Sequence, residues 1–397
     1  MSKQRIQLSD HFTYPRLLRF VLPCIGTMLF TSIYGIVDGL CVSNFVGKTA
    51  FAAVNLIMPL PMLLGTIGFM LGTGGSAIVG ITLGEGDQKK ADRYFTLFLL
   101  AALISVSVLA VLGIVFLRPI AALLGAKGEL LDYAVRYGRI LMVSLPTFAL
   151  QNMFQSFFVT AEKPHLGFWF TVGAGCTNMV LDVLMVGIWG WGVEGAAIAT
   201  FISQLVGGVL PVFYFIDRSN SSRLHLCKTS FYSKVLRDAC INGSSELMTN
   251  LSMSLVNILY NYQLLRLAGE NGVAAYGVIM YAAFLFVAVF VGYAVGSAPI
   301  VSFHYGARNH AEVHNLYRKS LRLIAVVAVT LTLASMFIIP CVARIFVGYD
   351  AELLALTSRA FRLYALSFLI MGFNVYASSF FTALGDGVTS ALISFLR

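Results

Sequence analysis

The sequence predicts an all-α polytopic membrane protein: two six-helix bundles related by an internal repeat, the second incomplete, with ten full spans and the start of an eleventh. Three observations lead there. The 397 residues are 58% hydrophobic and 11% charged, with a mean hydropathy of +0.83; a soluble domain carries about 25% charged residues. The apolar residues come in runs of roughly 20 or more, the length a helix needs to cross the hydrocarbon core. Landmarks also recur at one fixed offset. Regular strands at ~10-residue spacing are absent, which disfavours an outer-membrane barrel.

The spans are expected near 17–45, 51–83, 94–117, 131–160, 166–189, 193–216, 235–265, 272–303, 317–340 and 355–384. Several exceed the minimum length, so tilt or kinks are expected. Pro23, Pro59, Pro61, Pro146, Pro211 and Pro299 are the natural kink points.

The net charge of +9 does not indicate nucleic acid, because the basic residues sit in short segments between apolar runs, as topology signals do. With the N-terminus inside, one face collects seventeen Lys and Arg, among them Lys89, Lys90, Arg223 and Arg318. The opposite loops hold five: Lys48, Arg118, Lys127, Arg266 and Arg344. Arg136, Arg139, Arg359 and Arg362, near span starts, blunt the bias. The expected orientation has a cytoplasmic N-terminus. The six cysteines are scattered and form no CxxC or Cys/His cluster, so no metal centre or disulfide framework is expected. No cleavable signal peptide is read, because the first sixteen residues are polar and the apolar stretch after them is too long.

The repeat is carried by loop landmarks. Gly84 pairs with Gly306 at an offset of 222. Gly125-x3-Glu129-Leu130-Leu131 pairs with Gly348-x3-Glu352-Leu353-Leu354 at 223, as Phe157-Phe158 does with Phe380-Phe381. That offset covers six helices, an even number, so both halves enter the membrane from the same side. The expected division is a first lobe at 1–217, a linker at 218–234 and a second lobe at 235–397. Arg397 corresponds to position 174 or 175 of the first lobe, which continues to about 216. The second lobe is therefore expected to lack the rest of span eleven and all of span twelve.

No HExxH, plausible GxSxG or P-loop is present, so neither an enzyme nor a direct ATP-driven pump is expected, and no cofactor. The informative residues are ionisable groups inside apolar runs. These are Asp38 in span one, Asp182 in span five and Glu246 in span seven. Asn178 and Asp182 are four residues apart and share a helix face. Asp182 lies eight residues before the Gly190-Trp191-Gly192 turn and Thr200 eight after it, so both lie roughly 12 Å from that turn. Asp38 has a similar depth. Two carboxylates, an amide and a hydroxyl suit Na⁺. They equally suit a proton, since neighbouring buried carboxylates raise each other's affinity for it. The competing assignment has Asp38 solvated at the interface and Asp182 capping a nearby backbone group. Gln151 with Gln155, and Asn257 with Asn261, repeat the four-residue spacing; these amides line a wet cavity or tie helices together. Glu246 joins that cavity or sits in solvent.

The chain resembles the multidrug and toxic compound extrusion (MATE) family, in its bacterial branch. The resemblance rests on Pro23 with Asp38, on the glycine-rich end of span two running into Gly84-Glu85-Gly86-Asp87, and on Asn178-Met179-Val180-Leu181-Asp182. It rests most specifically on Trp191-Gly192-Val193-Glu194-Gly195-Ala196-Ala197-Ile198-Ala199-Thr200. The resemblance implies twelve helices in two lobes around a central cavity, and alternating access driven by Na⁺ or H⁺. The family's cation or proton site falls on Asp38, Asn178, Asp182 and Thr200. The early stop departs from the family's twelve spans.

The expected function is a secondary antiporter that exports amphipathic organic cations from the bacterial cytoplasmic (inner) membrane, acting as a monomer, with the lipid bilayer as its other partner. One alternative is a lipid-linked precursor flippase, which would show basic residues in the cavity helices to meet phosphates. The other is a membrane protein that transports nothing. The sequence names neither the substrate nor the coupling ion.

Overall fold

The computed structural model describes residues 6–45, 48–347 and 351–396; at helix positions 36, 38–45, 48–52, 258, 270, 273, 274, 281, 339–342 and 345–347 the description is of backbone alone. Regular structure among the described residues is entirely helical, as it must be where apolar runs satisfy their own backbone polar groups in lipid. The helices are α1 (Tyr14–Phe45), α2 (Lys48–Ile57), α3 (Pro59–Gly84), α4 (Gln88–Leu123), α5 (Glu129–Thr160) and α6 (Pro164–Asp182). A π-helical segment, Val183–Ile188, prolongs α6. Then come α7 (Gly192–Gly208), α8 (Leu210–Ile216), α9 (Ser233–Gly306), α10 (His310–Val347), α11 (Ala351–Ala365), α12 (Phe368–Ala383) and α13 (Gly387–Leu396).

The expected span boundaries fall close to these helices. Two expected spans, 235–265 and 272–303, join in the single 74-residue run of α9, broken by one residue, Gly269, at φ 63° and ψ −153°. Glycine alone adopts that conformation without steric cost. Tyr260 and Tyr276 stack across the break with ring centroids 5.3 Å apart and planes within 6°. Among the described residues, seven helices are long and apolar enough to cross a membrane, or eight if α11 and α12, bent by 48°, form one broken span. The fourth and seventh expected spans fall outside that count. They are α5, with Arg136, Arg139, Gln151, Asn152 and Gln155, and the polar first half of α9.

The largest core joins the two halves of the chain. At one end of the bundle Phe95, Phe157, Phe158 and Phe215 are fully or almost fully buried, and Phe154 stacks on Phe215 at 5.5 Å. Elsewhere backbone meets backbone. A methyl group added to Gly84 would overlap the Phe303 carbonyl, and one added to Gly306 would overlap the Ile81 carbonyl. The same reciprocity joins Gly74 to Ala239 and Gly243 to Met70. Small residues allow such approaches between membrane helices.

Residues 6–13 lie across the end of the bundle where α3 meets the end of α9. Leu8 and Phe12 are fully buried. The Leu8 amide donates to Glu162 Oε1 at 2.9 Å, and Arg223 donates to the same oxygen at 2.5 Å. The Phe12 amide donates to Glu312 Oε1 at 2.9 Å, while His11 Nδ1 lies 2.6 Å from Glu312 Oε2. Lys319 Nζ donates to the Phe12 carbonyl at 2.6 Å. One short segment thus fastens the α5–α6 turn to the first turn of α10.

Candidate functional site

Helix register brings the α1, α6 and α7 candidates to one level. Gly26 of α1 abuts Phe168 of α6, and Gly175 of α6 abuts Phe30 and Tyr34. Eight residues along α1 therefore match seven along α6, so the two helices run parallel. One further turn carries Asp38 to the level of Asn178–Asp182; the Asp38 side chain lies outside the described residues. On the other flank, Gly173 faces Val206 and Gly195 faces Met185. In that antiparallel register Thr200 lies opposite Met179 and Val180, between Asn178 and Asp182.

Asp182 is completely buried and Asn178 is 2% exposed. The Asn178 amide nitrogen is buried, with no hydrogen-bond partner among the described residues. Asp182 is also the last residue of regular α-helix. Beyond it the Trp189 amide reaches back five residues to Leu184 O at 2.9 Å. Such wide turns are often found at functional sites, because they alter which backbone carbonyls are free. A carboxylate enclosed in an apolar interior is tolerated when protonated, paired or bound to a cation. An amide, a hydroxyl and carboxylates are hard oxygen donors, the set that Na⁺ or a proton takes.

Two further cavities adjoin each other, one bridging the two halves of the chain and one within the second half. One, of about 110 Å³, lies among α3, α5, α9 and α12. Among the described residues, nine Ser and Thr side chains and one carboxylate, Glu246, line it, with no aromatic ring. The other, of about 260 Å³, lies between the two halves of α9 and α11–α12. Tyr260, Tyr276, Tyr364, Met253, Met280 and Met371 line it, with smaller apolar and polar residues between them. Thr249 lines both. Among the described residues, neither lining contains Lys or Arg.

The amides singled out by spacing do not share one place. Asn257 lines the aromatic cavity. Gln155 lines a separate small crevice with Cys24, Thr27 and Pro164. Gln151 is buried against Gly207 of α7, which fits it as a tie between helices. Asn261 lines neither of the two cavities. Sequence reasoning missed the hydroxyl groups. Thr382 Oγ1 and Ser390 Oγ are 2.7 Å apart, as are Ser378 Oγ and Ser394 Oγ. The four-residue spacings of Ser378 with Thr382 and of Ser390 with Ser394 were the available signal.

A profile of the MatE family matches residues 23–184 and 247–397. The multidrug export protein MepA of Staphylococcus saprophyticus is 21% identical over 386 residues, 96% of this chain and 84% of that protein. MepA of Staphylococcus aureus is 20% identical over 385 residues, again with 84% of its length covered. Among solved structures, the outward-facing conformation of a multidrug resistance MATE transporter superposes with a TM-score of 0.93 at 23% identity, covering 100% of this chain and 88% of that one. A transporter of the same superfamily from Pyrococcus furiosus, described as having a binding pocket of reversed polarity, gives 0.90 at 23% identity, with the same coverage. These likenesses of fold accord with a family match across both halves of the sequence: the chain is a multi-pass membrane protein that belongs to the MatE family of transporters.

Proposed function

We propose that this transporter is a secondary antiporter that exports amphipathic organic cations in exchange for Na⁺ or H⁺. The observation that carries the coupling reading is the buried Asp182, with Asn178 one turn before it and Thr200 at the same level. Binding a cation there relieves the cost of enclosing a carboxylate, so occupancy and helix packing are linked. Asp38, by its register in α1, is the second carboxylate of the site. The cargo reading rests on the two cavities, whose described residues offer a carboxylate, aromatic rings and methionines but no basic side chain. Such a lining attracts cations and has nothing to meet the phosphates of a lipid-linked precursor. The MepA relatives are named as multidrug exporters.

The reading extends to a monomer in a bacterial cytoplasmic membrane with its N-terminus in the cytoplasm, and to lobes at 1–217 and 235–397 joined by 218–234. Purified protein in liposomes, loaded with a fluorescent organic cation, tests it. Na⁺ and H⁺ gradients are imposed separately. Movement of the dye driven by one gradient, and its loss in Asp182→Asn, is the expected result. Dye movement that ignores both gradients would rule out antiport.

A further inference from the structure

The hydroxyl-lined cavity makes a narrower demand on its ligand than charge alone. Thr73 Oγ1 donates to Phe69 O at 3.0 Å, Ser76 Oγ to Thr73 O at 3.0 Å, and Ser302 Oγ to Ala298 O at 3.0 Å. Ser379 Oγ donates to Ala294 O at 3.2 Å. Each of these hydroxyl hydrogens is committed to a backbone carbonyl. What each oxygen has left is a lone pair, and a hydroxyl carries one donor but two acceptor sites. Ser378 and Thr382 belong to the hydroxyl chain that runs to Ser390 and Ser394. Glu246 adds a carboxylate. With four of its nine hydroxyl hydrogens committed to carbonyls, the lining is richer in acceptors than in donors, and none of its described residues is aromatic.

From this geometry we propose that the cavity seats the head of a primary or secondary ammonium ion, and that it discriminates against quaternary ammonium. This deepens the export reading above and rests on it. A protonated amine brings two or three N–H donors, which lone pairs and a carboxylate satisfy with charge-assisted hydrogen bonds. A quaternary ammonium brings none. Its usual host is an aromatic cage, and no ring of the described residues lines this cavity. The neighbouring Tyr and Met cavity, which shares Thr249, takes the apolar part of the same molecule. The implied ligand is an aryl group on a short linker ending in an N–H ammonium. The hydroxyl cavity, at about 110 Å³, holds the head and its first carbons but not a drug-sized body.

The test compares 2-(1-naphthyl)ethylammonium with its N,N,N-trimethyl counterpart, the aryl group and charge being the same. Binding of each to the purified protein in nanodiscs is measured by naphthyl fluorescence, with no gradient present. The primary ammonium should bind about tenfold tighter or more, the effect of one or two charge-assisted hydrogen bonds. Glu246→Gln should weaken the primary ammonium by a similar factor. Ser302→Ala and Thr73→Val, which keep the helix faces packed, should each narrow the preference. Equal binding of the two compounds, tighter binding of the trimethyl compound, or a preference untouched by Glu246→Gln would each overturn the proposal. So would Na⁺ competing through Glu246 while the amine preference is absent, which would make this a metal-ion site. Liposome transport of both compounds is measured alongside. An intact binding preference without gradient-driven movement would refute the export reading and leave the recognition chemistry standing.

Discussion

Gly84 in α3 and Gly306 in α9 lie against each other, each over the carbonyl three residues before its partner. They are also the two glycines paired by the 222-residue offset. A repeat detected along the chain has become a reciprocal contact in space. Gly74 and its equivalent at the same offset, Gly296, extend the pattern: Gly74 packs on the first half of α9 and Gly296 on α1.

Side chains at this crossing are therefore expected to be costly. Gly84→Val and Gly306→Val should each lower stability by about 1–3 kcal/mol through overpacking. Thermal denaturation followed by fluorescence-detected size exclusion reads the shift. Gly35→Ala, where an added methyl meets nothing within 4 Å, is the control and should be neutral or better. A Gly84→Val protein as stable as the wild type would remove the crossing from the list of constraints.

At the proposed coupling site, Asp182→Asn and Asn178→Ala should bring ion-driven efflux to the level of empty liposomes. The amount of inserted, monodisperse protein should stay near that of the wild type. Asp38→Asn should behave in the same way. Full activity of a well-folded Asp38→Asn/Asp182→Asn double variant would disprove the assignment.

The segment of residues 6–13 gives a prediction independent of transport. Glu312→Gln weakens the hydrogen bonds that His11 and Phe12 make to a carboxylate, bonds worth about 1.5–3 kcal/mol each when one partner is charged. The Leu8 and Phe12 amides should then exchange with deuterium faster than in the wild type, while amides in the middle of α4 do not change. Unaltered exchange at both amides would mean that Leu8 and Phe12, through burial alone, hold the segment.

Orientation is tested by single cysteines at Lys89, Arg223, Arg318 and Lys48 in a variant with the native cysteines replaced. An impermeant maleimide applied to intact cells should label position 48 and spare the other three. The reverse pattern would invert the topology.

Much of the fold was legible because the spans are long apolar runs bounded by charge, and such runs have one stable form in lipid. The register of Asn178, Asp182 and Thr200 was legible for a related reason: the turn at Gly190-Trp191-Gly192 is short, so residue counting on either side of it measures depth. Counting assumed regular helix, and it missed the π-helical turn after Asp182, since nothing in Val183–Ile188 sets it apart from an ordinary apolar segment. Gly269 was hidden within a polar stretch that read as a loop. The hydroxyl cavity was hidden for a different reason. Single Ser and Thr residues in apolar helices usually bond to their own backbone, as Thr73 and Ser302 do. Only their convergence from several helices gives them a common role.

The segment of residues 6–13 also sets a length. Its two anchored amides, at Leu8 and Phe12, are four residues apart, and four fully extended residues reach about 14 Å. While both anchors hold, the α5–α6 turn and the start of α10 are leashed within roughly that distance plus the reach of two glutamate side chains. Any rearrangement that parts this end of the bundle further has to let go of Glu162 or of Glu312 first. Any parting of the helices at that end is thus limited by a few residues of chain that lie outside every helix.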